Sequence, residues 1–311
     1  MNQKTIKESF SLTGKGLHTG LNLTVEFCPA PENFGYKILR TDVADSALIP
    51  ALSDHVADTS RSTALGNGKE HVATIEHALS ALYALGIDNC LMKVNGPEFP
   101  ILDGSAHFYV ENIRRVGTIT QNAPRKVYVV KEPIELYDEK RGSHLRLEPA
   151  DEFSVSTVIS FENSIISDQH ADLHHLDEYA DEYASARTFV FVRDLEPLLG
   201  AGLIKGGDLD NAIVIYERKL SQEKFDQLAD IMKVPRMDAN RLGYIMHRPL
   251  VWDNEPARHK LLDIIGDIAL VGCPIQGRLT AIKPGHSVNT AFARLIREHI
   301  NLDAQLSTNN D

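Results

Sequence analysis

Short runs of alternating or continuous apolar residues fill the beginning of the chain and predict β-strands. Residues 21–27 and 36–40 have the two-residue period of a strand, and a turn containing Pro, Asn and Gly separates them. The apolar run at 89–94 is also typical of a strand. This part of the chain is therefore expected to be rich in β-structure.

Helical periodicity begins near residue 74. Apolar residues recur every three or four positions from Ile75 to Leu85. Thr74 is a residue type that caps the beginning of a helix, and Gly86 is one that ends it. A second helix is expected over residues 105–115.

The second half repeats this order after a polar stretch, residues 120–125, that has the composition of a linker. Its predicted elements are strands at 126–130, 144–148 and 153–161, a helix at 256–270, a strand at 277–283 and a helix at 287–298. The pattern predicts an α+β fold of two similar units, each a sheet with helices, at residues 1–122 and 126–300. Residues 301–311 are polar and are expected to be a disordered tail.

Two segments interrupt the second unit, at about residues 162–207 and 221–249. Insertions usually form a site or an interface rather than a core, so we expect substrate contacts in the first segment. The second segment carries apolar residues at the spacing of an amphipathic helix that packs on the surface: Leu220, Phe225, Leu228 and Ile231.

Composition limits the class of protein. The chain has 311 residues, 43% hydrophobic and 24% charged, with a formal net charge of -11, which suits a globular protein with room for two domains. The negative charge argues against broad binding to nucleic acid or to an anionic membrane. The segment MNQKTIKESF lacks a hydrophobic signal core, and no apolar run approaches the roughly 20 residues of a membrane span. We expect a cytoplasmic monomer without stable membrane anchoring.

The three cysteines, Cys28, Cys90 and Cys273, are far apart and form no CxxC pair. They indicate neither a disulfide framework nor a zinc site made of thiolates. We expect them to be free and buried, as small apolar residues are.

Three groups of polar residues could carry chemistry. His259 and Asp263 are four positions apart in a predicted helix, so they lie on one face and can bind a single ion. Glu76 and His77 lie in a helix whose other residues are apolar, which is a costly place for unpaired polar groups. His286 follows a turn before the last predicted helix. Taken singly, the first group can be an ordinary helix-face pair, and His286 can be an exposed surface histidine.

Taken together, these residues fit a catalytic zinc site in which two histidines and an aspartate hold the ion and one position stays open for water. Glu76 is then the general base, and His286 is the acid that protonates a leaving amine. The chain has no HExxH and no GxSxG, and its glycine-rich run at 200–207 lacks the Gly-Lys-Ser/Thr of a P-loop. The commonest zinc-peptidase, serine-hydrolase and nucleotide-triphosphate motifs are therefore absent.

Several longer motifs occur in a fixed order along the chain. They are Gly14 to Gly20, Thr74 to His77, Phe99 to Ser105, Ala186 to Phe189, Gly202 to Gly207, Asn254 to Asp267 and Gly285 to Ser287. In this order they resemble the UDP-3-O-acyl-N-acetylglucosamine deacetylase family of lipid A biosynthesis, over essentially the whole chain. The resemblance implies hydrolytic removal of acetate from UDP-3-O-(3-hydroxyacyl)-N-acetylglucosamine, with the active site between the two units.

The resemblance also implies roles for single residues. It implies zinc bound by His77, His259 and Asp263, with Glu76 as base and His286 as acid, which agrees with the interpretation from the residues themselves. It adds Thr188 as the donor to the oxyanion and Asp267 as the group that orients His286 and favours its protonated form. The implied substrate-binding residues are Lys260 and Lys283 for the nucleotide half, Phe189 near the sugar, and His18, Gly206 and Gly207.

The glycine-rich run 202–207 is similar to the family's hydrophobic passage for the acyl chain, although a turn-rich loop has the same composition. Two departures from the family pattern stand out. Residues 59–63 contain no cysteine where some members have one, and residues 221–249 are longer than in compact members. Some members continue into a fused acyl-carrier dehydratase, for which we expect no room here.

Two other functions are compatible with the residues. One is a zinc amidase that acts on a different N-acyl sugar, which a requirement for a long acyl chain would distinguish. The other is a sugar-nucleotide or lipid-binding protein with a structural metal. The presence of both Glu76 and His286 argues against the second, because binding needs neither.

Overall fold

The computed structural model describes residues 1–161, 165–200, 205–232 and 234–308. Its first elements are β1 (Asn2–Ile6), β2 (Phe10–Lys15), β3 (Asn22–Pro29), β4 (Tyr36–Arg40), β5 (Ile49–Pro50), β6 (Val56–Asp58), β7 (Ala64–Gly66), β8 (His71–Val72), α1 (Glu76–Ala84), β9 (Cys90–Val94), α2 (His107–Val116) and β10 (Thr118–Pro124). The remaining elements are β11 (Tyr128–Val129), β12 (Ile134–Asp138), β13 (Ser143–Glu148), β14 (Ser154–Ile159), β15 (Gln169–Leu173), α3 (Tyr179–Glu182), β16 (Phe189–Phe191), α4 (Val192–Gly200), β17 (Ile213–Tyr216), α5 (Gln222–Met232), β18 (Gly243–Ile245), α6 (Glu255–Ile268), β19 (Ile275–Gln276), β20 (Arg278–Ile282) and α7 (His286–Thr308).

Two five-stranded sheets have the same topology. The first has the strand order β2-β3-β9-β4-β5, and the second has the order β12-β13-β20-β14-β15. In each sheet the fifth strand along the chain lies between the second and third, antiparallel to the second and parallel to the third. The fold is α+β, as predicted, and the repeated order seen in the sequence corresponds to two equivalent sheets. The domain boundaries at residues 122 and 126 stay a prediction.

Helices α1 and α6 pack against each other, and one continuous hydrophobic core contains residues of both helices and both sheets. Every residue of α1 is buried, as expected of a helix that is apolar on all sides. All residues of α6 except Arg258 and Lys260 are buried as well. The polar side chains of α1, and most of those of α6, therefore lie inside the protein. Cys28 and Cys90 are buried, Cys273 is partly exposed, and all three are free.

Of the two predicted ends of α1, the C-terminal end is confirmed and the N-terminal cap is wrong. Gly86 has a φ of 67° and its N–H donates to the carbonyl of Tyr83 at 3.0 Å, which is the glycine-ended helix that was predicted. Thr74 is not the N-cap. It has a φ of 58°, its hydroxyl donates to Glu98 at 3.2 Å, and Ile75 occupies the cap position without a side-chain bond. The hydroxyl is already used by a buried carboxylate, so it does not cap the helix.

Two further predictions were wrong. Residues 120–125 are not a linker, because β10 pairs with β1 at the edge of the first unit. Exposure on most of this edge strand explains its polar composition. The tail at 301–311 is not a separate disordered segment up to residue 308, because α7 continues to Thr308. Residues 309–311 lie outside the described part of the chain.

The first insertion begins later than predicted, because residues 169–173 form β15, the edge strand of the second five-stranded sheet. A separate three-stranded sheet, β16-β17-β18, follows with α4 and α5. The amphipathic helix predicted in the second insertion is α5, with Phe225 and Leu228 buried and Ile231 exposed. Residues 162–164, 201–204 and 233 lie outside the described part, and they include residues 202–204 of the glycine-rich run 202–207 that was predicted to form the passage. Among the described residues, none of the helices combines the length and hydrophobicity of a membrane span.

Candidate active site

Helices α1 and α6 bring two histidines and an aspartate together. His77 lies in the first turn of α1, and His259 and Asp263 are one turn apart on α6. Oδ1 of Asp263 is 3.3 Å from Nε2 of His259 and 3.7 Å from Nε2 of His77. The ligand atoms of the three buried side chains all lie within 4.8 Å of one another. These are the three residues predicted to hold a metal, and they are called the ligand triad below.

The ligand triad fits a divalent cation. Nδ1 of His259 donates to the carbonyl of Ala186 at 2.9 Å, which leaves the lone pair of Nε2 directed toward Asp263. Desolvation by burial, helped by the neighbouring His259, lowers the pKa of His77 to about 3, so this ring is neutral. Oδ2 of Asp263 accepts a bond from Lys260 at 2.8 Å, while the buried Oδ1 has no partner among the described residues. A buried, unpartnered carboxylate oxygen beside two neutral imidazoles is a donor set for a transition-metal ion.

Glu76 lies beside the ligand triad and lines the same cavity, but its carboxylate is not part of the triad. Its Oε2 accepts the backbone N–H of Thr63 at 3.1 Å, and its Oε1 is 3.8 Å from Nε2 of His286. Desolvation by burial is the main reason that the pKa of Glu76 rises to about 7. A carboxyl group with this pKa can accept and release a proton near neutral pH.

His286 begins α7 and faces Glu76 across the cavity. Its Nδ1 is 3.0 Å from Oδ2 of Asp267, one turn beyond Asp263 on α6. Burial alone would lower the pKa of this histidine, but the carboxylates of Asp267, Glu76 and Asp263 outweigh burial and raise the pKa of His286 to about 9. His286 is therefore a cation at neutral pH, which is the state that an acid requires.

Two residues that the sequence did not single out hold this arrangement. The hydroxyl of Thr63 donates to Oδ1 of Asp267 at 2.5 Å and is 3.2 Å from Nδ1 of His286. The amide of Asn289 donates to Oδ2 of Asp267 at 3.0 Å. Asn289 could have been suspected, because it is one turn after His286 on the same helix. Nothing in the local sequence around Thr63 points to such a role, because its partner is more than 200 residues away.

Residues 186–189 connect the ligand triad to the cavity wall. The carbonyl of Ala186 accepts the bond from His259, and Arg187 forms a buried ion pair with Glu255 of α6 at 2.8 Å. The N–H and the carbonyl of Thr188 both bond to neighbouring backbone at 2.8 Å, and its side chain lines the cavity. The predicted oxyanion donor therefore lies on a backbone held at both its polar atoms.

The cavity at the ligand triad, called the active cavity, has a volume of about 780 Å³. Phe189 lines it, with Nζ of Lys260 5.5 Å from its ring centroid, although the same Lys260 also binds Asp263. Several cations line the cavity: Arg61, Arg141, Arg193, Lys260 and Lys283. In a chain with a net charge of -11, this is a local basic pocket suited to an anionic ligand.

The structure does not place every predicted substrate-binding residue in the active cavity. His18 and Gly207 line a second cavity of about 520 Å³, called the side cavity, which shares Thr188, Phe189 and Arg193 with the active cavity. Gly206 packs so closely that a β-carbon would lie 2.1 Å from the carbonyl oxygen of Gly16.

A buried ligand triad with the carboxyl group of Glu76 and the cationic His286 beside it is the arrangement found in metal-dependent hydrolases. A family model described as UDP-3-O-acyl N-acetylglycosamine deacetylase (LpxC) matches residues 3–230 and 239–298. The chain belongs to this family.

Individual relatives agree with the family. The chain is 59% identical over 302 residues to the bifunctional enzyme LpxC/FabZ of Bacteroides thetaiotaomicron, a match that covers 97% of this chain and 66% of that protein. It is 54% identical to the protein of the same name from Porphyromonas gingivalis, covering 96% of this chain and 64% of that one. The UDP-3-O-acyl-N-acetylglucosamine deacetylase of Anaeromyxobacter sp. (strain Fw109-5) is 40% identical, covering 95% of this chain and 88% of that protein. The chain thus spans 64 to 66% of the length of the two bifunctional relatives.

Proposed function

We propose that this chain catalyses the zinc-dependent hydrolysis of UDP-3-O-(3-hydroxyacyl)-N-acetylglucosamine to acetate and the free amine, a step of lipid A biosynthesis. The observation that carries the proposal is the position of Glu76, a buried carboxyl group with a pKa of about 7 that adjoins the ligand triad without belonging to it. Membership of the deacetylase family supports the choice of substrate, since relatives are named for this activity.

His77, His259 and Asp263 would hold the zinc ion. When bound, such an ion supplies Lewis-acid chemistry, because it polarises a carbonyl group and lowers the pKa of water. Asp263 is held in place by Lys260, which binds Oδ2, whereas Oδ1 is the oxygen close to His77 and His259. Lys260 therefore has a positioning role in addition to the substrate contact proposed for it.

The proton transfers fall to Glu76 and His286. Glu76 takes a proton from the attacking water, and the side chain of Thr188 donates to the oxygen on which negative charge develops. His286 gives its proton to the amine nitrogen as the carbon–nitrogen bond of the acetamide breaks. Asp267 keeps Nε2 of His286 directed into the cavity by binding Nδ1.

Each of the two cavities suits a different part of the substrate. The cations of the active cavity, Lys260 and Lys283 among them, suit the diphosphate, and Phe189 offers an aromatic face to a sugar. The side cavity suits the acyl chain, with Gly207 and His18 in its wall and Gly206 allowing the close backbone approach beside it. We further propose that the chain acts as a cytoplasmic monomer, which cell fractionation and light scattering would test.

Acetate release by metal-stripped protein tests the function. We expect release to return when Zn²⁺ is added, and to be much slower with UDP-N-acetylglucosamine, which lacks the acyl chain. Restored release without any dependence on the acyl chain would favour an amidase for another N-acyl sugar. Stoichiometric zinc without any release would favour a binding protein and contradict the proposal.

A further inference from the structure

The side cavity opens beside the active site and is mainly apolar. Thr188, Phe189 and Arg193 border both cavities, so a ligand in one can reach the other. Away from this junction the lining includes Val190, Leu195, Leu209 and Val214. The apolar part of this lining suits a hydrocarbon chain, because such a chain buries apolar surface there.

The end of α5 supplies part of the wall of the side cavity. Ile231 and Met232, the last two residues of α5, line the side cavity together with Pro197 of α4. Helix α5 lies in the segment 221–249. This segment contains no residue of the ligand triad and neither of the proton-transfer residues, Glu76 and His286. Among the described residues of this segment, Ile231 and Met232 are the ones that line the active cavity or the side cavity.

Helix α5 is firmly held on the three-stranded sheet. Phe225 stacks on Tyr216 of β17 with ring centroids 4.4 Å apart. The side-chain amide of Gln222 donates to the carbonyl of Met237 at 2.8 Å and accepts the N–H of Ala239 at 3.0 Å. These contacts hold the first half of the helix and the loop after it. Helix α5 is therefore anchored through Phe225 and Gln222.

Ile231 is exposed over 56% of its surface although it lines an apolar cavity. Of the other apolar residues predicted on this helix, Phe225 and Leu228 are buried, whereas Leu220 lies before the first residue of α5. Ile231 thus points away from the helix's own packing face, and the side chain is available to an apolar ligand in the cavity.

We propose that α5, through Ile231 and Met232, limits the length of the acyl chain that the side cavity accepts. This inference rests on the proposed function for the identity of the substrate. A chain that reaches Ile231 gains contact with it, and a longer chain must displace the last turn of a helix that is anchored at Phe225 and Gln222. Each methylene that is buried or excluded changes binding about fourfold.

Two variants and a matched control test the proposal. Ile231→Ala shortens the wall and Ile231→Trp extends it, and position 231 is exposed enough for the fold to tolerate either change. Met237→Ala is the control, because Met237 is an apolar residue of the same segment with 45% exposure that does not line the side cavity. Acetate release is measured for substrates whose acyl chains differ in steps of two methylenes.

We expect Ile231→Ala to shift the preferred length of acyl chain upward and Ile231→Trp to shift it downward, with kcat/KM ratios between neighbouring lengths changing about tenfold. Met237→Ala should keep the wild-type profile. Calorimetric binding of 3-hydroxy fatty acids of the same lengths gives a second profile that does not depend on hydrolysis. A binding profile that is the same in wild type and both Ile231 variants overturns the inference, whether or not acetate is released. Absence of acetate release from every substrate would contradict the proposed function instead.

Discussion

A β-carbon added to Gly266 would lie 2.1 Å from the carbonyl oxygen of Glu76. The glycine therefore lets α6 approach the first turn of α1 until backbone meets backbone. Glu76 and His77 come from α1, and His259 and Asp263 from α6, so this contact sets the distance between the two halves of the site. Backbone atoms cannot rotate away as a flexible side chain can.

Gly266→Ala should separate the two helices and loosen the ligand triad. We expect the free energy of unfolding to fall by roughly 1 to 3 kcal/mol, since overpacking outweighs the helix propensity gained from alanine. Zinc affinity should fall as well. Chemical denaturation and metal titration measure both quantities. Gly285→Ala is the control, because a β-carbon there meets nothing within 4 Å. If both variants lose the same stability and zinc affinity, the contact between Gly266 and Glu76 does not set the distance between the helices.

Glu76→Gln should separate catalysis from metal binding. The amide keeps the shape of the side chain but cannot accept the proton, so turnover should fall by roughly 10²- to 10⁴-fold. Zinc content, measured by mass spectrometry of metals, should stay stoichiometric because Glu76 is not in the ligand triad. Turnover at the wild-type rate would remove Glu76 from the mechanism.

Thr63→Val should disturb the Asp267–His286 pair without changing any residue of the ligand triad. Valine keeps the volume of threonine but loses the hydroxyl that donates to Asp267. We expect a loss of about 1 to 3 kcal/mol in the free energy of unfolding, the cost of removing a bond to a buried charged group. Thr63→Ser should restore both stability and turnover. If serine behaves like valine, the methyl group rather than the hydroxyl matters.

The rate should have a bell-shaped dependence on pH. Glu76 must be deprotonated to act as base, so the rate rises with pH through its pKa, which is about 7 without an ion and lower beside a cation. His286 must be protonated, so the rate falls as pH rises through its pKa of about 9. Asp267→Asn removes one anion that raises the pKa of His286 and should move the alkaline limb to lower pH. An alkaline limb that does not move would assign that limb to another group.

Zinc should stabilise the folded protein. An ion that binds only the folded state raises the free energy of unfolding by about 2.7 kcal/mol at a free concentration of 100 times its Kd. Asp263→Ala should abolish this rise, because it removes the oxygen that faces both histidines. Thermal melts with and without Zn²⁺ provide the measurement. A rise of the same size in the variant would place the bound ion elsewhere.

Local patterns in the sequence predicted much of the fold and many of the residues of the site. Strand β4 has the predicted limits of 36–40, and α6 begins within one residue of its predicted start. His259 and Asp263 could be paired from their spacing, because residues four apart share a helix face whatever the helix packs against. Glu76 and His77 were visible because polar groups are costly in an apolar helix.

Where the environment rather than the local pattern decides, the sequence was misleading. Residues 120–125 look like a linker, yet residues 120–124 belong to β10, a mostly exposed strand that pairs with β1. Thr74 looks like a helix cap, yet its hydroxyl is taken by Glu98, which is distant in sequence. Both errors arise because the partner of a polar group cannot be read from its neighbours in the chain.

The sequence by itself determined the two repeated units, the helices that carry the ligand triad and the types of residue available for chemistry. Only the tertiary structure decided that Thr63 bonds to Asp267 and that the end of α5 borders the side cavity. It also decided that Oδ1 of Asp263 has no hydrogen-bond partner within the described ranges of the chain. The physical reason is the distance along the chain over which each kind of interaction acts. Helical and strand periodicity acts over a few residues, whereas contacts between distant segments depend on how closely α1 and α6 pack, and that packing is set by the whole core.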